Sequence, residues 1–127
     1  MLTASGTKKI IGFILLLLLS SPANAWTQED SMWQSAYLAA HVADWGQTRD
    51  IAAQCRTSGA YQESNIVLGS CPSIQMVNAY FVATALLHTG VAHALPSKYR
   101  RMFQVGTLGL QLNVVNSNTE IGLQVNF

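Results

Sequence analysis

The amino-acid sequence predicts a mainly α protein, a compact three-helix bundle with a disulfide-closed loop and a short extended C-terminal tail. Three observations favour this fold class. Long segments without proline carry apolar residues at helical spacing. Two cysteines flank the polar segment between the first two helices. Apolar and polar residues alternate at the C-terminal end of the chain. Residues 26–127 are expected to form a single helical domain, because this length suffices for one small core.

The first predicted helix begins near Thr27, which is suited to cap it, with acidic residues in the first turn. From Ser31 to Ala53 the chain lacks proline and its apolar residues recur at helical spacing. Asp44 and Gln47 lie on the same stripe as these apolar residues. Polar side chains on a core-facing stripe either have buried partners or mark a solvated site.

A polar loop over residues 56–70 is predicted to follow, because it is rich in Ser, Gly, Asn and Gln. Cys55 and Cys71 flank this loop and are predicted to form one disulfide, the simplest use of two cysteines in a small exported chain. No second cysteine pair or nearby histidine completes a metal site. The sequence therefore gives no reason to expect a metal ion or a cofactor.

The second helix is predicted to open at Pro72 and Ser73 and to run to about Leu95, where Pro96 stops it. Its centre, residues 80–87, is the most apolar stretch after the leader, and the helix is long enough to span a bilayer. Asn78, His88 and His93 interrupt it, as expected for the central helix of a small bundle. Both alternatives stay open, with membrane embedding or close membrane association favoured.

The third segment, from Ser97 to about Asn116, begins as a helix and has an ambiguous second half. Apolar residues alternate over 108–114 and again over 121–127, so a β-hairpin turning at 116–118 is an alternative. A helix followed by an extended tail is favoured. Lys98, Arg100 and Arg101 are interpreted as a solvated face at the helix start or a lipid headgroup contact.

The leader, residues 1–25, has the three zones of a cleavable signal peptide. Lys8 and Lys9 precede an apolar run from Ile10 to Leu19, and the triplet 23–25 has the Ala-x-Ala pattern of a cleavage site. The apolar run has ten residues, whereas a spanning helix needs about 20, so cleavage is favoured over an uncleaved anchor. We therefore expect an exported protein, located in the periplasm or at the inner membrane.

Removing the leader changes the charge of the chain. Five basic and six acidic residues remain, so the domain has a net charge near −1. Nucleic-acid binding requires a basic surface, and the sequence offers none. Nucleic acid is therefore excluded as a partner, and membrane lipid or an envelope protein is expected instead.

Asp44, Thr48, Glu63 and Asn65 form the candidate binding set. Asp44 and Thr48 lie one turn apart on the first helix, and the other two lie in the loop that the disulfide would hold nearby. Two carboxylates brought together are suited to acid–base chemistry, but no nucleophile with an adjacent base accompanies them. The alternative is that the four cap helix ends and fix the loop. The histidines are expected to be partly buried and hydrogen-bonded.

An ordered series of short strings resembles a family of small exported or membrane proteins of bacteriophages, prophages and bacteria. The strings are 44–52, 63–69, 72–73, 80–81, and Pro96 followed by Arg100, Arg101 and Gln104. The resemblance covers about 33–127 and implies a short helical envelope protein, without implying an activity. Members of that family usually lack a cysteine pair around the central loop, so the predicted disulfide would be particular to this chain.

The leading functional hypothesis is a non-enzymatic envelope or membrane-associated protein of phage-like origin. It would affect the host envelope during infection, lysis or superinfection exclusion. The alternative is a soluble periplasmic enzyme or small-ligand binder that uses Asp44, Glu63 and Asn65. A third hypothesis is outer-membrane association through the tail that ends at Phe127.

Overall fold

The protein consists of three helices in a computed structural model that describes residues 25–127. They are α1 (Gln28–Thr57), α2 (Ile74–Ala94) and α3 (Ser97–Glu120). No strand occurs within 25–127. The predicted mainly α fold is therefore confirmed, and the hairpin alternative for the last segment is wrong. The predicted signal peptide, 1–25, lies outside the described residues except for Ala25.

Helix α1 begins with the predicted cap. The Thr27 hydroxyl accepts a hydrogen bond from the Asp30 main-chain N–H at 3.1 Å, and the Asp30 carboxylate accepts one from the Thr27 N–H at 2.9 Å. This reciprocal pair satisfies two main-chain donors that the helix leaves free. At its other end α1 continues past the predicted Ala53 to Thr57, so the loop begins later than expected.

The predicted disulfide is present and joins Cys55, near the end of α1, to Cys71, just before α2. The two Cα atoms lie 5.8 Å apart and the cysteines are separated by 16 positions in the sequence. The bond holds both ends of the polar loop beside each other. A disulfide of this kind indicates an oxidising, exported environment.

Helix α2 is capped by Ser73, whose hydroxyl accepts a hydrogen bond from the Met76 N–H at 3.1 Å. The predicted opening at Pro72 is therefore displaced by one residue, because Pro72 precedes the cap. Helix α2 ends at Ala94, just before Pro96 as expected. Among the described residues, no helix is long and apolar enough to cross a membrane. The expected length of the second helix is nevertheless met, since α2 has 21 residues and a span needs about 20.

Helix α1 contacts both of the other helices. Both α2 and α3 pack along it, whereas α2 and α3 make few contacts with each other. The buried apolar cluster that joins α1, the loop and α2 is small, and it consists of Ala52, Leu68, Val77 and Phe81. A cleft therefore opens between α2 and α3, with α1 as its floor.

Two of the three polar residues that interrupt α2, Asn78 and His88, point to α1. Asn78 accepts hydrogen bonds from the Trp45 indole at 2.9 Å and from the Arg49 guanidinium at 2.7 Å. His88 is buried against Tyr37, with the two ring centroids 3.5 Å apart. These residues therefore join the helices, as the bundle alternative predicted for them.

The contact between α1 and α3 is polar and includes a buried ion pair. Arg100 is fully buried and donates to the Asp30 carboxylate at 2.7 Å. Although burial acts to raise it, the hydrogen bonds from Thr27 and Arg100 hold the pKa of Asp30 below its ordinary value. The interpretation of Arg100 as part of a solvated face is wrong. Its neighbours Lys98 and Arg101 are exposed, and Arg101 pairs with Glu29 at the surface.

The extended tail after α3 docks on α1, as the predicted fold requires. The Asp50 carboxylate accepts hydrogen bonds from the Gln124 N–H at 3.0 Å and from the Asn126 side chain at 2.8 Å. Leu123 is buried. Gly46 permits this close approach, because a Cβ at that position would overlap Val125. The tail is therefore part of the folded domain.

Candidate functional site

A cavity of about 500 Å³ occupies the cleft between α2 and α3. Its floor is one face of α1, where Tyr37, His41, Asp44 and Thr48 follow each other at helical spacing. The loop closes one end of it. All four residues of the predicted binding set line this cavity, which are Asp44, Thr48, Glu63 and Asn65. The disulfide was expected to hold the loop near the helix ends, but the loop reaches back to the middle of α1, beside Asp44.

Asp44 is half-buried in the cavity wall and is held by two amide groups of α3. Its carboxylate accepts from the Gln111 side chain at 2.7 Å and from the Asn118 side chain at 3.3 Å. Burial raises the pKa of the Asp44 carboxyl, the Gln111 hydrogen bond opposes this shift, and the nearby Glu63 charge adds to it. Glu63 therefore lies close enough for the two carboxylates to repel each other.

Glu63 and Asn65 shape the loop as well as lining the cavity. The Glu63 side chain accepts a hydrogen bond from the Asn65 N–H at 2.8 Å, and the Asn65 side chain accepts one from the Val67 N–H at 2.9 Å. The Glu63 N–H in turn donates to the Ser70 carbonyl at 2.9 Å. The alternative prediction, that these side chains fix the loop through main-chain bonds, holds for this pair. Asp44 and Thr48 lie within α1 and cap neither of its ends.

His41 is buried between α2 and α3 and contacts an acceptor on each side. Its Nε2 lies 3.0 Å from the Phe81 carbonyl oxygen, and its Nδ1 lies 3.4 Å from the Gln111 side-chain oxygen. A neutral imidazole carries one N–H and satisfies one of these acceptors, whereas an imidazolium satisfies both. Because Gln111 also donates to Asp44, the amide links the imidazole to the carboxylate.

His88 is buried outside the cavity lining, in a set of contacts that suits a neutral ring. Its Nδ1 accepts from the Gln34 amide at 3.1 Å, and its Nε2 lies 2.8 Å from the Thr107 hydroxyl. Thr107 directs its own proton to the Phe103 carbonyl at 2.7 Å, so Nε2 is the donor to Thr107. Burial, and then the charge of His41, lowers the pKa of His88 to about 4.

The histidine prediction is confirmed for two of the three. His41 and His88 are buried and hydrogen-bonded. His93 is exposed and its ring stacks on Trp26 at 3.8 Å between centroids. Among residues 25–127, no three histidine, cysteine or acidic side chains are placed to hold a metal ion together.

The rest of the lining is aromatic and aliphatic. Tyr37 contributes from α1, and Tyr80 and Phe81 contribute from α2, with the latter two rings in an edge-to-face contact. Leu110 and Val114 of α3 form part of the opposite side. The cavity therefore combines apolar walls with a few fixed polar groups, which is the usual composition of a small-molecule site.

The sequence interpretation did not identify the contribution of α3. Gln104, Thr107, Gln111 and Asn118 recur at helical spacing within a segment interpreted as ambiguous, and each donates or accepts a hydrogen bond toward α1 or α2. That spacing of uncharged polar residues is the signal that could have found them. The alternating apolar residues over 108–114 instead indicated the two-residue period of a strand, although they lie within a helix.

Comparisons with protein-family models, with curated proteins and with solved structures found no match to this chain.

Proposed function

We propose that this protein is an exported, non-enzymatic binding protein whose cleft takes up a small molecule. The observation that carries the proposal is the cavity, because its volume of about 500 Å³ lies within the range of about 300 to 1,000 Å³ that ligand pockets occupy. The polar groups in it are fixed by hydrogen bonds, which favours a preformed site. The cell envelope, periplasmic or beside the inner membrane, is the proposed location.

Two of the hydroxyl groups that line the cavity, those of Thr84 and Thr107, favour binding over nucleophilic catalysis. Thr84 donates to the Tyr80 carbonyl at 2.8 Å, and Thr107 donates to the Phe103 carbonyl at 2.7 Å. Each proton is thus committed to a main-chain acceptor and is not directed to a histidine. A hydroxyl nucleophile needs the reverse arrangement, in which the base accepts that proton.

A fragment screen by ligand-observed NMR tests this proposal on the mature, oxidised protein. Val114 and Val105 are valines of α3 with nearly equal exposure, 42% and 41%, but only Val114 lines the cavity. We expect Val114→Trp to weaken fragment binding by about tenfold or more, because the indole occupies the cleft, and Val105→Trp to leave it unchanged. Finding no fragments that bind the wild type, or finding equal binding to both variants, would refute the proposal.

A second proposed function is association with membrane lipid or an envelope protein, which the outer face of α2 favours. Helix α2 contains no acidic residue, lysine or arginine, and Val82, Leu86 and Leu87 are exposed on it. Contiguous exposed apolar surface is typical of interaction sites. The resemblance to phage-encoded envelope proteins extends this proposal to effects on the host envelope during infection, lysis or superinfection exclusion.

Vesicle flotation separates this second function from the first. We expect the mature protein to float with phosphatidylethanolamine and phosphatidylglycerol vesicles, and the Leu86→Glu/Leu87→Glu variant to stay in the soluble fraction. Val42→Glu is the control, because Val42 is exposed on α1, away from the α2 face. Wild-type protein that does not float, and that cross-links to no envelope protein in cells, contradicts the proposal.

A further inference from the structure

The permanently charged side chains that line the cavity are all acidic. Asp44 and Glu63 line it, whereas no lysine or arginine of residues 25–127 does. Within that range His41 is the one lining residue able to carry a positive charge, and it reaches Asp44 through the Gln111 amide. The net charge of the cavity lining is therefore negative, and a positive charge on His41 would offset only part of it. A ligand carrying a positive group is attracted to it, and an anion is repelled.

Asp44 has amide partners and no cationic side chain as a partner. The ion pairs formed among residues 25–127 join Arg100 to Asp30 and Arg101 to Glu29. Burial raises the pKa of the Asp44 carboxyl and the charge of Glu63 adds to this shift, whereas the Gln111 hydrogen bond and the charge of His41 oppose it. A cation at this position would relieve that repulsion and would form a charge-assisted hydrogen bond.

The position of Glu63 is fixed, so that the second carboxylate is preorganised. Its side chain accepts from the Asn65 N–H, its own N–H donates to Ser70, and the disulfide ties the loop to α1. Preorganisation limits the entropy lost when a ligand is ordered in the site. The carboxylate is therefore ready to receive a ligand group without refolding of the loop.

The walls of the cavity define the rest of the ligand. Tyr37, Tyr80 and Phe81 supply aromatic rings, and Leu110 supplies an aliphatic surface. Aromatic faces attract cations and also pack against apolar groups. A hydrated metal ion makes no use of such walls, whereas an amine on a hydrocarbon body uses both the walls and the carboxylates.

We infer that the cleft binds an organic cation, with an ammonium group held by Asp44 and Glu63 and an apolar body packed against Tyr37, Tyr80 and Leu110. This inference rests on the proposed ligand-binding function and names the chemical class of its ligand. The inference is independent of any membrane contact made by the outer face of α2.

Isothermal titration of three related probes into the mature, oxidised protein at neutral pH tests the inference. The probes are phenethylamine, phenethyl alcohol and phenylacetate, which share a phenyl body and differ in the charge of the head group. We expect the amine to bind about tenfold or more tightly than the alcohol, a difference of about 1.4 kcal/mol, and the carboxylate to bind more weakly than either. Equal affinities for amine and alcohol, or preference for the carboxylate, overturn the inference.

Charge-removing variants identify the groups responsible. Asp44→Asn and Glu63→Gln are each expected to lower amine affinity about fivefold or more and to change alcohol affinity much less, so that the preference for the amine over the alcohol narrows. Asp44→Asn keeps the network intact, because a reversed Gln111 amide can accept from Asn at position 44 and donate to a neutral His41. Glu120→Gln is the matched control, since Glu120 is exposed and lies outside the cavity. Equal losses in Glu120→Gln and Glu63→Gln would assign the effect to net charge and overturn the inference.

The two proposals fail in different ways. Fragments that bind the cleft of the wild type without any preference for cations leave the ligand-binding function standing and overturn the organic cation alone. An absence of cleft-binding fragments in the NMR screen, with no binding of the three probes, overturns both.

Discussion

Acidification from pH 7 to pH 5 is expected to destabilise this protein through His88. The ring is buried, Gln34 donates to one nitrogen, and the other nitrogen donates to Thr107. A second proton would attach to Nδ1, which faces the Gln34 N–H donor, so the new N–H would have no acceptor for a hydrogen bond. The folded protein therefore keeps His88 neutral, and burial and the charge of His41 lower its pKa from 6.5 to about 4.

The sign and size of the effect follow from proton linkage. Because the pKa of His88 is lower in the folded state, the unfolded chain binds more protons in the window between pH 6.5 and 4. The free energy of unfolding is therefore highest above this window and falls as the pH falls through it. Between pH 7 and pH 5 the expected loss is about 2 kcal/mol. Asp44 acts in the opposite direction, since its raised pKa favours proton uptake by the folded state.

Urea unfolding followed by tryptophan fluorescence at pH 7 and pH 5 measures this difference, with the disulfide kept intact. His88→Gln removes the titrating group, so its loss between the two pH values is expected to be less than half that of the wild type. His93→Gln is the control, because His93 is exposed and His88 remains in that variant. Equal pH dependence in wild type and His88→Gln would refute the reasoning.

Three further perturbations test the contacts that hold the fold. Arg100→Met leaves the Asp30 carboxylate buried without its cationic partner and is expected to lower the free energy of unfolding by about 3 to 5 kcal/mol. Arg101→Met at the surface pair should lower it by less than about 1 kcal/mol. Equal shifts of the urea midpoint in the two variants would contradict this. Reducing the disulfide is expected to cost about 3 kcal/mol of unfolding free energy, and an unchanged melting temperature in reductant would argue against it. Gly46→Ala is expected to displace the tail from α1, because its Cβ overlaps Val125; unchanged protection of the Asn126 amide in hydrogen exchange would show that the tail adapts.

The features predicted correctly from the sequence depend on neighbours in the chain. The cap formed by Thr27 and Asp30 spans three positions, and Pro96 ends α2 by local geometry. The disulfide followed from cysteine count and export, which need no three-dimensional information. The caps and helix ends are encoded within one or two helical turns, so periodicity and residue type suffice to find them.

The features that sequence reasoning missed depend on partners far away in the chain. Arg100 was assigned to the solvent because arginine is mostly exposed, but its partner Asp30 lies 70 positions earlier. Separations of 67 and 74 positions likewise hide the roles of Gln111 and Asn118, which meet Asp44 only when α3 folds back along α1. The four candidate residues can nevertheless be grouped from the sequence, because Asp44 and Thr48 lie one turn apart on a helix and Glu63 and Asn65 lie in a loop that a disulfide closes.

The disulfide also determines when the cleft becomes complete. Asp44 is carried by α1 and takes its place when the helices pack, but Glu63 is carried by a loop whose ends are fastened by Cys55 and Cys71. While the thiols are reduced, ordering that loop carries a larger entropic cost, and its carboxylate samples many positions. Oxidation is thus expected to fix the second carboxylate beside the cleft. If the cleft binds a ligand as proposed, ligand uptake would be coupled to formation of the disulfide.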